Sequence, residues 1–161
     1  MGVGDAAVRI ETTGIDEVLE QMGKMQQLTG DAAKAMLNAG GNVFQRYWIA
    51  EAMKHGHKKT GDMIKSIGFS KAKDRGSGLQ IDIYPQGKGR TGVRNSVKAF
   101  VLHHGRKAGP DKKGEIKADE WVKDVVSDAT DESNAAMAKV WGEFIATGDV
   151  PAVKKLRKGQ K

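Results

Sequence analysis

A basic glycine turn set between a helical pattern and a strand pattern constrains this chain more than any other feature. Residues 58–67 read KKTGDMIKSI. Upstream, apolar residues recur at three- and four-residue intervals as far as Met53; downstream, a strand pattern begins at Ser66. Thr60 and Gly61 therefore stand where the period changes from 3.6 to 2, so a long helix has to give way to a sheet within one short turn. A later stretch, residues 99–106 (AFVLHHGR), makes a companion segment that also contains a glycine, Gly105. Neither stretch carries a catalytic set.

The rest of the chain organises around that turn. Val8 to Thr12 alternates apolar and polar residues and predicts a short strand closed by Gly14. Residues 15–28 predict a helix from Ile15, Val18, Leu19, Met22 and Met25, with Asp16, Glu17 and Glu20 in its first turns, where the helix dipole favours them. Thr29, Gly30 and Asp31 predict a break, with Asp31 as N-cap of a second helix over about residues 32–54. Gly40 and Gly41 in that helix each cost about 1 kcal/mol relative to alanine. They imply either a kink or the close approach of another backbone, and we expect packing of the first helix over this point. Residues 66–71 and 79–84 predict a hairpin across a loop at 74–78, with Leu79, Ile81 and Ile83 on one face. Residues 86–95 form a Gly/Lys/Arg loop, and residues 96–104 fit either a helix or a strand. A last helix is predicted over residues 118–146 and stopped by Gly148 and Pro151.

This order predicts an α+β domain over residues 1–150: a small, mainly antiparallel sheet packed against long helices, the last of them long and C-terminal. Residues 151–161 have no apolar periodicity and predict a basic, flexible, disordered tail. Its removal is expected to leave the fold intact.

The net charge of +7 is unevenly distributed. Residues 54–114 hold 15 basic and 4 acidic side chains, whereas residues 115–150 hold 3 basic and 9 acidic ones. Residues 1–53 are also acidic on balance, and the last 11 residues carry 5 basic groups. Such bipolarity suits polyanion contact or head-to-tail stacking of identical subunits. The absence of cysteine excludes disulfides and thiolate metal sites. No apolar run approaches the roughly 20 residues that span a bilayer, and the first residues lack a signal-peptide pattern. A soluble protein without a membrane partner is expected.

Chemistry-bearing motifs are weak. His55, His57, His103 and His104 are potential metal ligands, but no carboxylate stands near them at a matching spacing in the sequence, and Lys54, Lys58 and Lys59 would repel a cation. We therefore expect no metal, no cofactor and no catalytic residue. Lys59, Thr60 and Gly61 match one motif of penicillin-recognising enzymes without its partners. The run from Gln86 to Gly92 resembles a phosphate loop, but Asp82 occupies the place of its first glycine. Phosphate contacts through the basic loops would be salt-dependent and unspecific, because stacking aromatics near them are few.

The blocks Thr60-Gly61-Asp62-Met63-Ile64-Lys65-Ser66-Ile67, Ile81-Asp82-Ile83-Tyr84-Pro85-Gln86-Gly87 and Phe100-Val101-Leu102-His103-His104-Gly105 occur in an order that resembles the siphophage neck family. These are tail-completion, head–tail joining or minor tail proteins. The similarity spans about residues 10–146. One departure is Gly114-Glu115-Ile116-Lys117-Ala118-Asp119-Glu120-Trp121, where the family has a Pro/Arg-Pro-Phe block; Trp121 stands in the Phe role. The resemblance implies a non-enzymatic virion protein, made in the host cytoplasm. It would assemble as a ring of six or twelve copies between the portal side of the capsid and the tail tube, and let DNA pass. Implied partners are further copies of itself, head-closure or connector proteins, and the tail tube or tail terminator. Interface contacts are expected from Lys58, Lys59, Lys88, Arg90, Arg94, Arg106, Lys107, Lys154, Lys155, Arg157 and Lys158, with Gly61, Gly92 and Gly105 shaping turns. Two rival readings are a basic nucleic-acid-binding module of a mobile element and a metal-dependent hydrolase using the histidines.

Overall fold

A computed structural model describes residues 15–57, 61–74, 76, 78–109 and 114–160, the side chains of residues 15–19 excepted. The strand expected over residues 8–12 lies outside that set. Eight elements follow in order: α1 (Ile15–Lys54), α2 (Asp62–Lys65), β1 (Ile67–Phe69), β2 (Lys73–Asp74), β3 (Leu79–Gln80), β4 (Ile83–Pro85), α3 (Asn95–His104) and α4 (Trp121–Thr147). The α+β architecture is as expected, with two long helices carrying a small antiparallel sheet.

The first correction concerns α1, which is one helix of 40 residues, about 60 Å long, where two were expected. The groups that signal a break are satisfied inside the helix. Thr29 Oγ1 donates to the Met25 carbonyl at 2.8 Å, and Lys34 Nζ pairs with Asp31 Oδ1 at 2.8 Å. Ala32 and Ala35 are buried immediately afterwards. Packing of that face outweighs the weak helix propensity of Thr29, Gly30 and Asp31.

The glycine pair does mark a close approach, but from other elements than expected. A Cβ on Gly40 would lie 2.8 Å from Ser133 Oγ on α4, and one on Gly41 would lie 2.8 Å from Ile81 Cδ1 and 3.1 Å from the Phe69 ring. Gly40 thus admits α4, while Gly41 admits the sheet. The facing stripe of α4 is Trp121, Val125, Ala129, Ser133 and Val140, all buried, at spacings that keep them on one helical face. Trp121 is fully buried and meets Trp48 edge-on, ring centroids 5.0 Å apart and planes at 78°. With Ile49, Ala52, Met63, Ile67, Ala99 and Val125 it forms the main core.

The predicted hairpin is present, with its ladder in two pieces. Strand β1 pairs antiparallel with β4 (Ile67 with Pro85, Phe69 with Ile83), and β2 pairs with β3. Between the two pieces Ser70 N donates to the Asp82 carbonyl, and Asp82 N donates to Ser70 Oγ at 3.0 Å. The hydroxyl takes the place of a backbone acceptor there, which interrupts the ladder. The ambiguous segment is helical: Asn95 Nδ2 anchors its start on the Gln86 carbonyl at 3.0 Å, and Ala99 faces the core. Helix α4 ends on Gly148 in the left-handed region, as the sequence predicts.

The second correction is the C-terminal segment. Residues 151–160 do not form a disordered tail; they run back over α1 and β1. Asn42 clamps them, its Nδ2 donating to the Lys154 carbonyl and its Oδ1 accepting from Leu156 N, both at 2.9 Å. Fully buried Gln45 donates to the Arg157 carbonyl at 2.6 Å. Gly159 N donates to the Ile67 carbonyl. Gly159 has φ 69°, and a Cβ there would lie 2.7 Å from Lys65 Cα, so only glycine fits. The segment is held by amide side chains more than 110 residues away in sequence, which no local pattern reveals.

Candidate functional site

The turn at Gly61 and the basic loop at 86–95 fold against each other. Gly61, at φ 68°, precedes the single turn of α2, and Asp62 there accepts Arg90 N at 3.1 Å and lies 3.3 Å from Arg90 Nε. The Arg90 amide, followed by its guanidinium, holds the Asp62 carboxyl below the usual carboxylate range. A bridge between Lys88 and Arg94, with Gly92 at φ 74° between them, folds the loop into a compact turn. Arg94 then leads directly into α3.

These elements border an open cleft of about 350 Å³, lined by Asp62, Lys65, Gln86, Lys88, Arg90 and Lys158, among others. Two basic segments far apart in sequence, the loop and the end of the chain, therefore contribute to one surface. Four cations against one carboxylate suit the carboxylates or phosphates of a partner, bound by charge without chemistry.

The other expected contact residues are placed differently. Lys155 lies 4.2 Å over the Phe69 ring and its ammonium donates to the Phe69 carbonyl; burial, followed by Lys158, lowers its pKa. Its charge is committed to holding the C-terminal segment. Lys154 and Arg157 expose their side chains while their carbonyls accept the bonds from Asn42 and Gln45. Arg106 is half-buried, bridges Ile116, and donates from Nη2 to the Gly114 carbonyl at 3.0 Å. Lys107 is exposed beside it. Gly105, at φ 77°, ends α3 where a Cβ would lie 2.7 Å from the Ile116 oxygen. Lys58 and Lys59 lie outside the described residues.

Two apolar surfaces accompany the basic cleft. Residues 20–29 of α1 are exposed on every face, although Met22, Met25 and Leu28 lie among them. A groove of about 590 Å³ lies between Met63, Val93, Val97, Val101, Leu102 and Ile116, with Lys98 and Arg106 at its border. Phe100, on α3, is 61 % exposed.

The histidines fall into two pairs. On α3, His103 and His104 meet edge-on at 4.5 Å, and burial, then the His104 charge, lowers the His103 pKa. At the end of α1, His55 and His57 are joined by carboxylates that their sequence neighbourhood conceals: Glu51 from the same helix, Asp119 from the segment before α4, and Asp124 from α4. The spacing of Glu51 and His55, four residues apart on a helix, was the available signal; Asp119 and Asp124 had none.

Among known families, one described as "Bacteriophage HK97-gp10, putative tail-component" matches residues 16–129, well over half of the chain. No curated protein and no solved structure matches.

Proposed function

Because the chain belongs to the HK97-gp10-like family of phage tail components, we propose that it is a structural subunit of the neck or tail-completion region, acting by assembly and not by catalysis. The family match carries the tail role and the virion location. The exposed arm of α1 supports assembly. A helical stretch that exposes Met22, Met25 and Leu28 among the described residues offers an apolar face to another molecule.

The occupant of the apolar groove on one subunit is, in this reading, the arm of the next. Met22 and Met25 are long, flexible and suited to an irregular groove. In the sequence Asp16, Glu17 and Glu20 outnumber Lys24, which pairs with Glu20 at 2.8 Å, and the groove is bordered by Lys98 and Arg106. Arm and groove are different patches of one chain, so the contact is heterologous and closes into a ring when the rotation per subunit divides a full turn. Six or twelve copies would surround the DNA passage, with the basic cleft turned to connector, tail-tube or terminator proteins. Among the described residues, no helix is long and apolar enough to cross a membrane.

The native mass of the purified protein, measured by light scattering across concentration and salt, tests this. A closed ring that becomes monomeric in Met22→Gln/Met25→Gln and in Val97→Glu supports it. A ring indifferent to all three substitutions overturns the arm-in-groove contact. A monomer that binds DNA tightly at low salt, and loses that binding steeply as salt rises, favours the nucleic-acid-binding module instead.

A further inference from the structure

Asp119 stands between two imidazoles. His55 Nδ1 lies 2.7 Å from Asp119 Oδ1, and His57 Nε2 lies 2.9 Å from Asp119 Oδ2. With Nδ1 on Asp119, the other ring nitrogen of His55 faces away from that carboxylate. In that direction stand two more carboxylates: Glu51 Oε2 at 3.4 Å and Asp124 Oδ2 at 3.3 Å from His55 Nε2. Positive charge belongs between these atoms, and either a proton on Nε2 or a bound cation supplies it.

The two distances from His55 Nε2 are compatible with the ligand spacing of a metal site. A tetrahedral ion with bonds of about 2.0–2.1 Å sets its ligand atoms about 3.3–3.4 Å apart. Glu51, His55 and Asp124 each offer one atom, all within 4.8 Å of one another. A carboxylate behind the imidazole, as Asp119 is here, fixes the tautomer and raises the basicity of a metal-bound histidine. Glu51 is 6 % exposed while the Asp124 side chain is 53 % exposed, so the site is walled on one side and open to water on the other.

We propose that Glu51, His55 and Asp124 bind a divalent first-row cation, Zn²⁺ foremost, with Asp119 orienting His55 and water completing the shell. The ion ties the end of α1 to the start of α4. The ammonium of Lys54, 3.1 Å from Glu51, is the resident competitor, and its side chain is exposed enough to swing away. The repulsion from Lys54 expected in the sequence is thus offset by three carboxylates supplied by the fold. This proposal is independent of the tail-protein reading and assigns the ion a structural role.

Tag-free full-length protein titrated with ZnCl₂ by calorimetry, and with Co²⁺ by visible absorption, tests the site. One ion per chain, a tetrahedral Co²⁺ band and a higher Tm with Zn²⁺ are expected. Asp124→Asn, at an exposed position that leaves the fold intact, should weaken binding at least tenfold. Asp119→Asn should weaken it about ten- to a hundredfold. His103→Ala/His104→Ala should leave it unchanged. No binding up to millimolar Zn²⁺ overturns the proposal, as does binding that survives Asp124→Asn or disappears with His103 and His104. Imidazole NMR showing His55 Nε2 still protonated at saturating Zn²⁺ overturns it as well.

Discussion

The two halves of α1 are one continuous helix in different circumstances. From Ala32 onward it is built into the protein: Ala32, Ala35, Val43, Ile49 and Ala52 are buried, and its glycines admit α4 and the sheet. Residues 20–29 carry a comparable apolar stripe, yet every residue is exposed. The contrast teaches that amphipathic periodicity records a partner without saying whose. The same pattern serves the intramolecular core in one half and, in the proposed arm-in-groove contact, would serve an intermolecular surface in the other.

Substitutions can break or sharpen this contrast. The largest effect is expected in the built-in half. Trp121→Ala removes the fully buried ring that Trp48 packs against and should cost about 3–5 kcal/mol in denaturant unfolding. Next comes a paired test at glycines. Gly40→Ala should destabilise by about 1–3 kcal/mol, since its methyl meets Ser133 and Met137. Gly23→Ala, with nothing within 4 Å, should stabilise by up to about 1 kcal/mol through helix propensity. Equal effects at the two positions would remove the distinction between the halves.

The C-terminal segment gives the third test. Deleting residues 152–161 leaves buried Gln45 without its acceptors at Arg157 and Gln160, and should cost about 1–3 kcal/mol. Asn42→Ala should cost less, about 1 kcal/mol, and speed tryptic cleavage at Lys154. In the arm, Met22→Gln/Met25→Gln should change unfolding by no more than about 0.5 kcal/mol while altering native mass. A large loss of monomer stability there would mean that the arm packs within its own chain.

The smallest effect is that of pH. Burial lowers the pKa of His57 and of His103, so the folded protein resists protonating them. As pH falls below about 6.5, the unfolded chain takes up these protons first and folding stability declines, until the folded pKa values are passed. His57→Gln should flatten that decline in urea titrations between pH 7 and 5.

Legibility followed the range of the interactions. The hairpin, the last helix with its Gly148 stop, the turn at Gly61 and the crowding at Gly40 and Gly41 are all visible locally, since dihedral preference and periodicity act over a few residues. The basic cleft was legible in part: Lys88 and Arg90 announced themselves, while the placement of Lys158 beside them depended on the return of the chain. The break expected at Gly30 failed because local propensity, worth about 1 kcal/mol, is smaller than the gain from burying the next helical face.

By itself, the sequence determined the alternation of helix and strand, the segregation of charge and the apolar stripes, because each depends on residue order alone. Tertiary structure decided which stripe stays open, how Asn42 and Gln45 seat the last ten described residues, and where Asp119 and Asp124 meet His55. Those outcomes rest on hydrogen bonds and ion contacts between groups more than 60 residues apart. Contacts at that range form only after the helices have packed, and no window along the chain contains both partners.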